Sequence, residues 1–327
     1  MKNTYLILFS VLLLFSSCGN TVESPYEPIK FTKLTTMPGN GRSSAVAFAI
    51  NGKGYVALGR NKNGETLKDC WEYNPTDNSW LDKKTFPGVG RVKAMAVEVN
   101  GKAYVGLGYD PAIGVYVIGS NLKDFWMYDP ENDTWTQKDS FPSMATNGCV
   151  SFVYKNEIYI GGGFNGWGFT LEFWKYSPVN DSWIRLTNFP GMGRAGSVLC
   201  ATNEHVFYGT GYRTLNENDW WEYFPETDSW TKRKSMPDKG RENGVSLTIG
   251  NRYFVSTGKQ FGGNLTGGHV KSDILEYDAT RNVWYERGNI PIGARENAIA
   301  FTIANKGYIG FGDSDPQVLN DFWSFEP

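Results

Sequence analysis

Side chains able to do chemistry recur at fixed spacing in this sequence. Arg42, Arg91, Arg194, Arg241 and Arg295 each stand 13 residues before an aromatic residue, and Thr146 takes the same place before Tyr159. Downstream lies a carboxylate each time: Asp69, Asp124, Glu172, Asp219, Asp273 and Asp321. Five guanidinium groups set against six carboxylates admit two readings. They pair with one another, or they form a cationic ring that grips a ligand carboxylate or sulfate bidentately. Arg241-Glu242-Asn243 and Arg295-Glu296-Asn297 are the two places where a glutamate follows the arginine. Glu242 and Glu296 are thus candidates for acid/base work, or they hold their arginines in place. The two histidines, His205 and His269, are scattered, which supplies neither a histidine-rich metal site nor a Ser-His-Asp triad. No metal or cofactor is expected.

A second group of candidates is aromatic. Tyr109 and Tyr116 lie in one irregular stretch, Phe164, Trp167 and Phe169 in the next, then Tyr212, then Phe261 in a glycine-rich run that also holds His269. Rigid aromatic rings beside polar groups stack on sugar rings or grip peptides at low entropic cost. The alternative is that each ring packs on its own loop.

The elements that position these residues follow from a repeat. Gly59, Gly108, Gly163, Gly211, Gly258 and Gly312 each follow Tyr55, Tyr104, Tyr159, Phe207, Phe254 or Tyr308 by four residues. Further on come Asp-Cys-Trp-Glu-Tyr (69–73), Asp-Phe-Trp-Met-Tyr (124–128), Glu-Phe-Trp-Lys-Tyr (172–176), Asp-Trp-Trp-Glu-Tyr (219–223), Asp-Ile-Leu-Glu-Tyr (273–277) and Asp-Phe-Trp-Ser-Phe (321–325). Seven residues after the first five of these lie Trp80, Trp135, Trp183, Trp230 and Trp284, across turns such as Asn74-Pro75-Thr76-Asp77-Asn78. Each unit reads as four short strands, a to d. Residues present in every unit serve packing and turns.

This frame resembles the kelch repeat from Phe31 to the C-terminus, although the family's glycine doublet is complete only at Gly161-Gly162-Gly163. The resemblance implies an all-β, six-bladed β-propeller with four antiparallel strands per blade. The sixth unit stops at Pro327, before a fourth strand, and Phe31 precedes Pro38 as Trp230 precedes Pro237. The N-terminal strand is therefore expected to complete the last blade. Irregular stretches between strands b and c would all rise on one face, next to the arginines.

The first 17 residues carry Lys2, an apolar run from Tyr5 to Phe15 and then Ser16-Ser17-Cys18. Eleven residues are too few to cross a bilayer core as a helix, so the run reads as the apolar part of an export signal. The stretch resembles a bacterial lipobox, which implies lipidation of Cys18 and a tether over 18–28, with the propeller at 29–327. Cys70, Cys149 and Cys200 remain, an odd number read as buried thiols, with a Cys149–Cys200 bridge as the alternative. The balance of 32 basic and 34 acidic residues argues against a nucleic-acid partner.

Three functions are expected to compete. The first is a monomeric, non-catalytic lipoprotein of the bacterial envelope, anchored at the outer membrane, that binds a glycan or an envelope protein through the loop-bearing face. The second rests on similarity to bacterial N-acetylneuraminate epimerases, sugar mutarotases with kelch propellers; it would make Glu242 or Glu296 the acid/base and Arg241 or Arg295 the carboxylate grips. The third is a periplasmic protein-interaction scaffold.

Overall fold

The structure, a computed structural model, describes residues 24–39, 41–114, 119–261 and 267–327. Cys18 and Tyr116 lie outside the described residues. The chain forms six four-stranded antiparallel sheets, the blades of a β-propeller. Blade one runs Val46–Ile50 (strand a), Lys53–Ala57 (b), Cys70–Asn74 (c) and Ser79–Lys83 (d). Burial peaks at strand b and falls toward the rim. In strand b of this blade Gly54 to Ala57 are all buried, whereas strand d keeps only Trp80 and Lys83 partly covered. The inner strands touch their neighbours around a closed ring, blade six against blade one included. Six strands converging on an axis leave little room there. The channel wall is accordingly lined with small side chains such as Ala45, Ala47, Ala94, Ala96, Ala298 and Ala300 around about 210 Å³.

Closure is as expected. Lys30–Lys33 pairs with Phe322–Glu326 as the outer strand of blade six, with Phe31 opposite Phe325 and the rings 5.4 Å apart, edge to face. Just upstream, Tyr26 packs edge-on to Tyr285 at 5.9 Å and under the guanidinium groups of Arg252 and Arg287, at 4.6 and 5.3 Å. Tyr26, within the expected tether, is therefore docked on blade five. It sits among the strand a–b and c–d turns, on the face opposite the long loops.

One device recurs in blades one to five. The strand c tyrosine donates to an Asn or Asp in the c–d turn, as in Tyr73 to Asn78 (2.9 Å) and Tyr128 to Asp133 (2.7 Å). That side chain accepts a backbone N–H from the preceding blade's exit segment, Thr35 or Lys84, and the strand d tryptophan donates to the carbonyl of the same residue. Burying each ring adds about 1.5–3 kcal/mol. Cys70, Cys149 and Cys200 are all free thiols, Cys149 only partly buried, so the Cys149–Cys200 bridge is absent.

The incomplete glycine doublet has a structural consequence. The residue before each repeat glycine stays left-handed whatever its type: Leu58, Leu107, Thr210, Thr257 and Phe311 have φ between 59° and 63°. The glycine itself is required by contact. At Gly108, with φ of +85°, a Cβ would lie 2.6 Å from the Val92 carbonyl oxygen.

Candidate functional site

Each arginine is buried, at 0 or 1% exposure, and each grips the aspartate of its own blade with two nitrogens. The distances are 3.0 and 2.7 Å for Arg42–Asp69, 2.6 and 2.7 Å for Arg91–Asp124, 2.8 and 2.8 Å for Arg241–Asp273, and 2.7 and 3.0 Å for Arg295–Asp321. Arg194 clasps Asp219 in the same way. Each also donates to the carbonyl of the left-handed residue before the repeat glycine, at 2.9–3.2 Å. This corrects the reading of Arg42, Arg91, Arg194, Arg241 and Arg295 as ligand grips. The terminal nitrogens are committed to a carboxylate and a carbonyl, and although the Nε–H of Arg42 and of Arg241 has no partner among the described residues, burial denies a ligand any approach to it. Burial raises the Asp69, Asp124 and Asp219 carboxyls, but the arginine hydrogen bonds and charge outweigh it and hold all three below the usual carboxylate range. In blade three, Thr146 offers no cation. Glu172 accepts instead from Ser143 (2.6 Å) and Trp174 (3.0 Å), with Arg185 at 3.2 Å.

The residues that follow these pairs build the face. One residue after each arginine, or after Thr146 in blade three, a backbone bridge runs to the residue just after the repeat glycine: Ser43 to Arg60, Val92 to Tyr109, Asn147 to Phe164, Ala195 to Tyr212, Glu242 to Lys259 and Glu296 to Asp313. Two residues after each arginine, and after Thr146, stands a collar. Ser44, Lys93, Gly148, Gly196, Asn243 and Asn297 are all left-handed, and each donates its N–H to the carbonyl of its counterpart in the preceding blade at 2.8–3.1 Å. These six hydrogen bonds close a ring around the axis. Because Gly148 and Gly196 carry no side chain, the collar is lowest beside blades three and four.

Over that low side lies a concavity of about 240 Å³. Its walls are Tyr109, Phe164, Phe169 and Tyr212, and its floor is Lys93, Asn147, Gly196, Glu242 and Asn243. The rings form a chain: Phe164 to Phe169 at 5.2 Å, Phe169 to Tyr212 at 6.0 Å, and Tyr212 to Phe261 at 5.9 Å. Trp167 stands apart at the rim, 74% exposed, on a turn in which Asn165 accepts its N–H at 3.0 Å. Four expected aromatics thus converge from three blades, Phe261 backs one of them, and Trp167 is a separate platform. Glu242 faces the concavity. Burial pushes its carboxyl above the ordinary glutamate value, the Glu296 charge adds to the shift, and Lys93 and Lys259 oppose it. Glu296 points elsewhere: it accepts from Asn243 at 2.9 Å and lines a neighbouring polar cavity. His205 contacts Glu222 at 2.6 Å on the opposite face.

A model of the kelch motif matches residues 145–190. The solved structure of YjhT superposes with a TM-score of 0.76 at 18% identity, covering 88% of this chain and 95% of that one. The fold is a six-bladed β-propeller, and the kelch-motif match falls on its third blade. Two N-acetylneuraminate epimerases of Haemophilus influenzae, from strains PittEE and 86-028NP, are each 39% identical over 56 residues. That match spans 16% of this chain and 15% of the length of those relatives. Lys93, Asn147, Gly196 and Asn243 were not among the expected site residues. Their signal lies in the one or two positions after each arginine, where the sequence varies while the arginine repeats.

Proposed function

We propose that this kelch propeller is an envelope lipoprotein that binds carbohydrate without transforming it, with one sugar ring seated in the aromatic concavity. The observation that carries this reading is the convergence of Tyr109, Phe164, Phe169 and Tyr212 from three blades above a hydrogen-bonding floor. A sugar ring offers apolar C–H faces to aromatic walls and hydroxyls to amide, ammonium and carboxylate groups, which is the mixture present here. The export signal and Cys18 support the envelope location. A glycan array probed with the protein and with its Phe169→Ala and Trp167→Ala variants tests the reading. Signal lost in Phe169→Ala with an unchanged melting temperature supports it; signal that survives both variants excludes this face as the site.

A second reading is favoured by Glu242. A carboxyl whose pKa is raised by burial, set in a sugar-sized concavity, can hand a proton to a ring oxygen while accepting one from the anomeric hydroxyl. That exchange opens a sugar ring with no net consumption of protons, as a mutarotase requires. The local similarity to N-acetylneuraminate epimerases supports the same chemistry, although the buried Arg241 and Arg295 do not serve as grips for a sugar carboxylate. Exchange between anomers measured by NMR decides it. Rates no faster than in buffer, or equal for wild type and Glu242→Gln, would remove the enzymatic reading.

A further inference from the structure

The concavity described above occupies half of the loop-bearing face. At the residue after the repeat glycine, blades two, three and four carry Tyr109, Phe164 and Tyr212, whereas blades five, six and one carry Lys259, Asp313 and Arg60. One structural position is aromatic on one side of the axis and charged on the other. On the charged side, over blades six and one, lies a second cavity of about 350 Å³ lined by Arg60, Lys62, Asn63, Asn297, Asp313 and Asp315, with Glu296 in its wall. Its core is held in place: Asp313 accepts from Asn297 at 3.1 Å and from Ser43, with Arg60 at 3.4 Å.

The two cavities share a wall. Asn243, in the floor of the aromatic one, donates to Glu296, in the wall of the polar one, at 2.9 Å. The paired Glu-Asn of blades five and six is thus split, Glu242-Asn243 toward the first cavity and Glu296-Asn297 toward the second. Trp167 rises from blade three, across the axis from blade six. An exposed ring, an aromatic concavity and a polar cavity therefore follow one another across the face.

We infer that this face binds an extended, neutral oligosaccharide of three or more units laid across the axis, with its polar end in the second cavity. The inference rests on the carbohydrate-binding reading. Neutrality follows from the charges. Arg60 and Lys62 stand among Glu296, Asp313 and Asp315, so an anionic unit would meet three carboxylates, whereas hydroxyls can donate to the carboxylates and accept from the cations and amides.

The test is a graded series. The full chain is screened on an array of neutral linear glycans, and the best series is then titrated calorimetrically as mono-, di- and tetrasaccharide. Affinity is expected to rise about tenfold or more from the mono- to the tetrasaccharide. In a Lys62→Ala/Asp315→Ala variant the tetrasaccharide should fall to about the affinity of the disaccharide, which the Trp167 ring and the aromatic concavity still hold, and the monosaccharide affinity should not change. Equal affinity at every length, or a rise from di- to tetrasaccharide that survives the double variant, overturns the second subsite and leaves the first standing. A preference for acidic over neutral chains overturns the choice of ligand. Binding of no glycan at all overturns this inference and the carbohydrate reading together.

Discussion

Replacing Arg91 by methionine separates a structural pair from a ligand grip. In the fold Arg91 makes four polar contacts: to Val89 O (2.9 Å), Leu107 O (3.1 Å) and both oxygens of Asp124 (2.6 and 2.7 Å), with its guanidinium over Phe86. Methionine retains much of the apolar stem and removes every donor. Asp124 then keeps the indole N–H of Trp126, at 2.7 Å, as its remaining side-chain donor among the described residues. Removing one partner of a buried pair costs about 3–5 kcal/mol. The Asp124 side chain is 23% exposed, so water recovers part of the loss and the low end, about 3 kcal/mol, is expected. With an unfolding entropy of roughly 2 cal/mol/K per residue over the propeller, that corresponds to a fall of about 5 °C in melting temperature. The assay is urea unfolding followed by tryptophan fluorescence, with calorimetry beside it. A double variant, Arg91→Met/Asp124→Leu, should recover most of the loss, because a matched apolar pair leaves no stranded charge. The gap between wild type and Arg91→Met should also depend on pH. The Asp124 pKa lies below its unfolded value, so the stabilisation is complete above the unfolded pKa, about 4, and fades as pH falls through the folded one. A loss under about 1 kcal/mol, or a double variant no better than the single one, would refute the assignment of these arginines to the scaffold.

Thr210 sits left-handed at φ 60°, fully buried, with a hydroxyl that has no partner among the described residues. Thr210→Gly should raise stability by about 1 kcal/mol, since relief of strain and of an unsatisfied hydroxyl exceeds the lost methyl burial and added chain entropy; a lower urea midpoint would contradict this. Glu242→Gln should stabilise the protein at pH 8 and leave it unchanged at pH 4, because a carboxyl with a raised folded pKa weakens the fold only as pH rises past its unfolded value. A melting-temperature profile across that range checks the sign. Phe31→Ala removes an edge-to-face contact with Phe325 from the strand that closes the ring. It should cost about 3 kcal/mol and speed hydrogen exchange in both Lys30–Lys33 and Phe322–Glu326, whereas exchange confined to the first strand would show that closure does not couple the two ends.

Much of this architecture is written in covalent spacing. Six copies of an aromatic, a glycine, a carboxylate and a second aromatic specify six blades, because each blade needs the same turn and the same packed rings. The spacing of Phe31 from Pro38, the same as that of Trp230 from Pro237, marks Lys30–Lys33 as an outer strand, and it pairs with Phe322–Glu326 to close the ring. The turn before each glycine is a milder case: Leu58, Leu107, Thr210, Thr257 and Phe311 look like lost glycines in the sequence, yet the backbone keeps its left-handed path, held by the arginine hydrogen bond to the carbonyl.

The tertiary structure alone decided what the conspicuous residues do. Arginine and aspartate lie 25–33 residues apart in sequence, and nothing in that spacing tells a buried bidentate pair from an open cationic ring. Burial does, and burial depends on how neighbouring blades pack. The concavity is likewise invisible in any one repeat. It arises where single positions from blades two, three and four meet above Gly148 and Gly196, and whether they meet is set by the radial angle between blades, which the ring fixes only when it closes. Sequence thus determined the repeated unit, whose turns and strand pairings lie within a blade. The face, built from contacts between repeats about 50 residues apart, belongs to the closed ring.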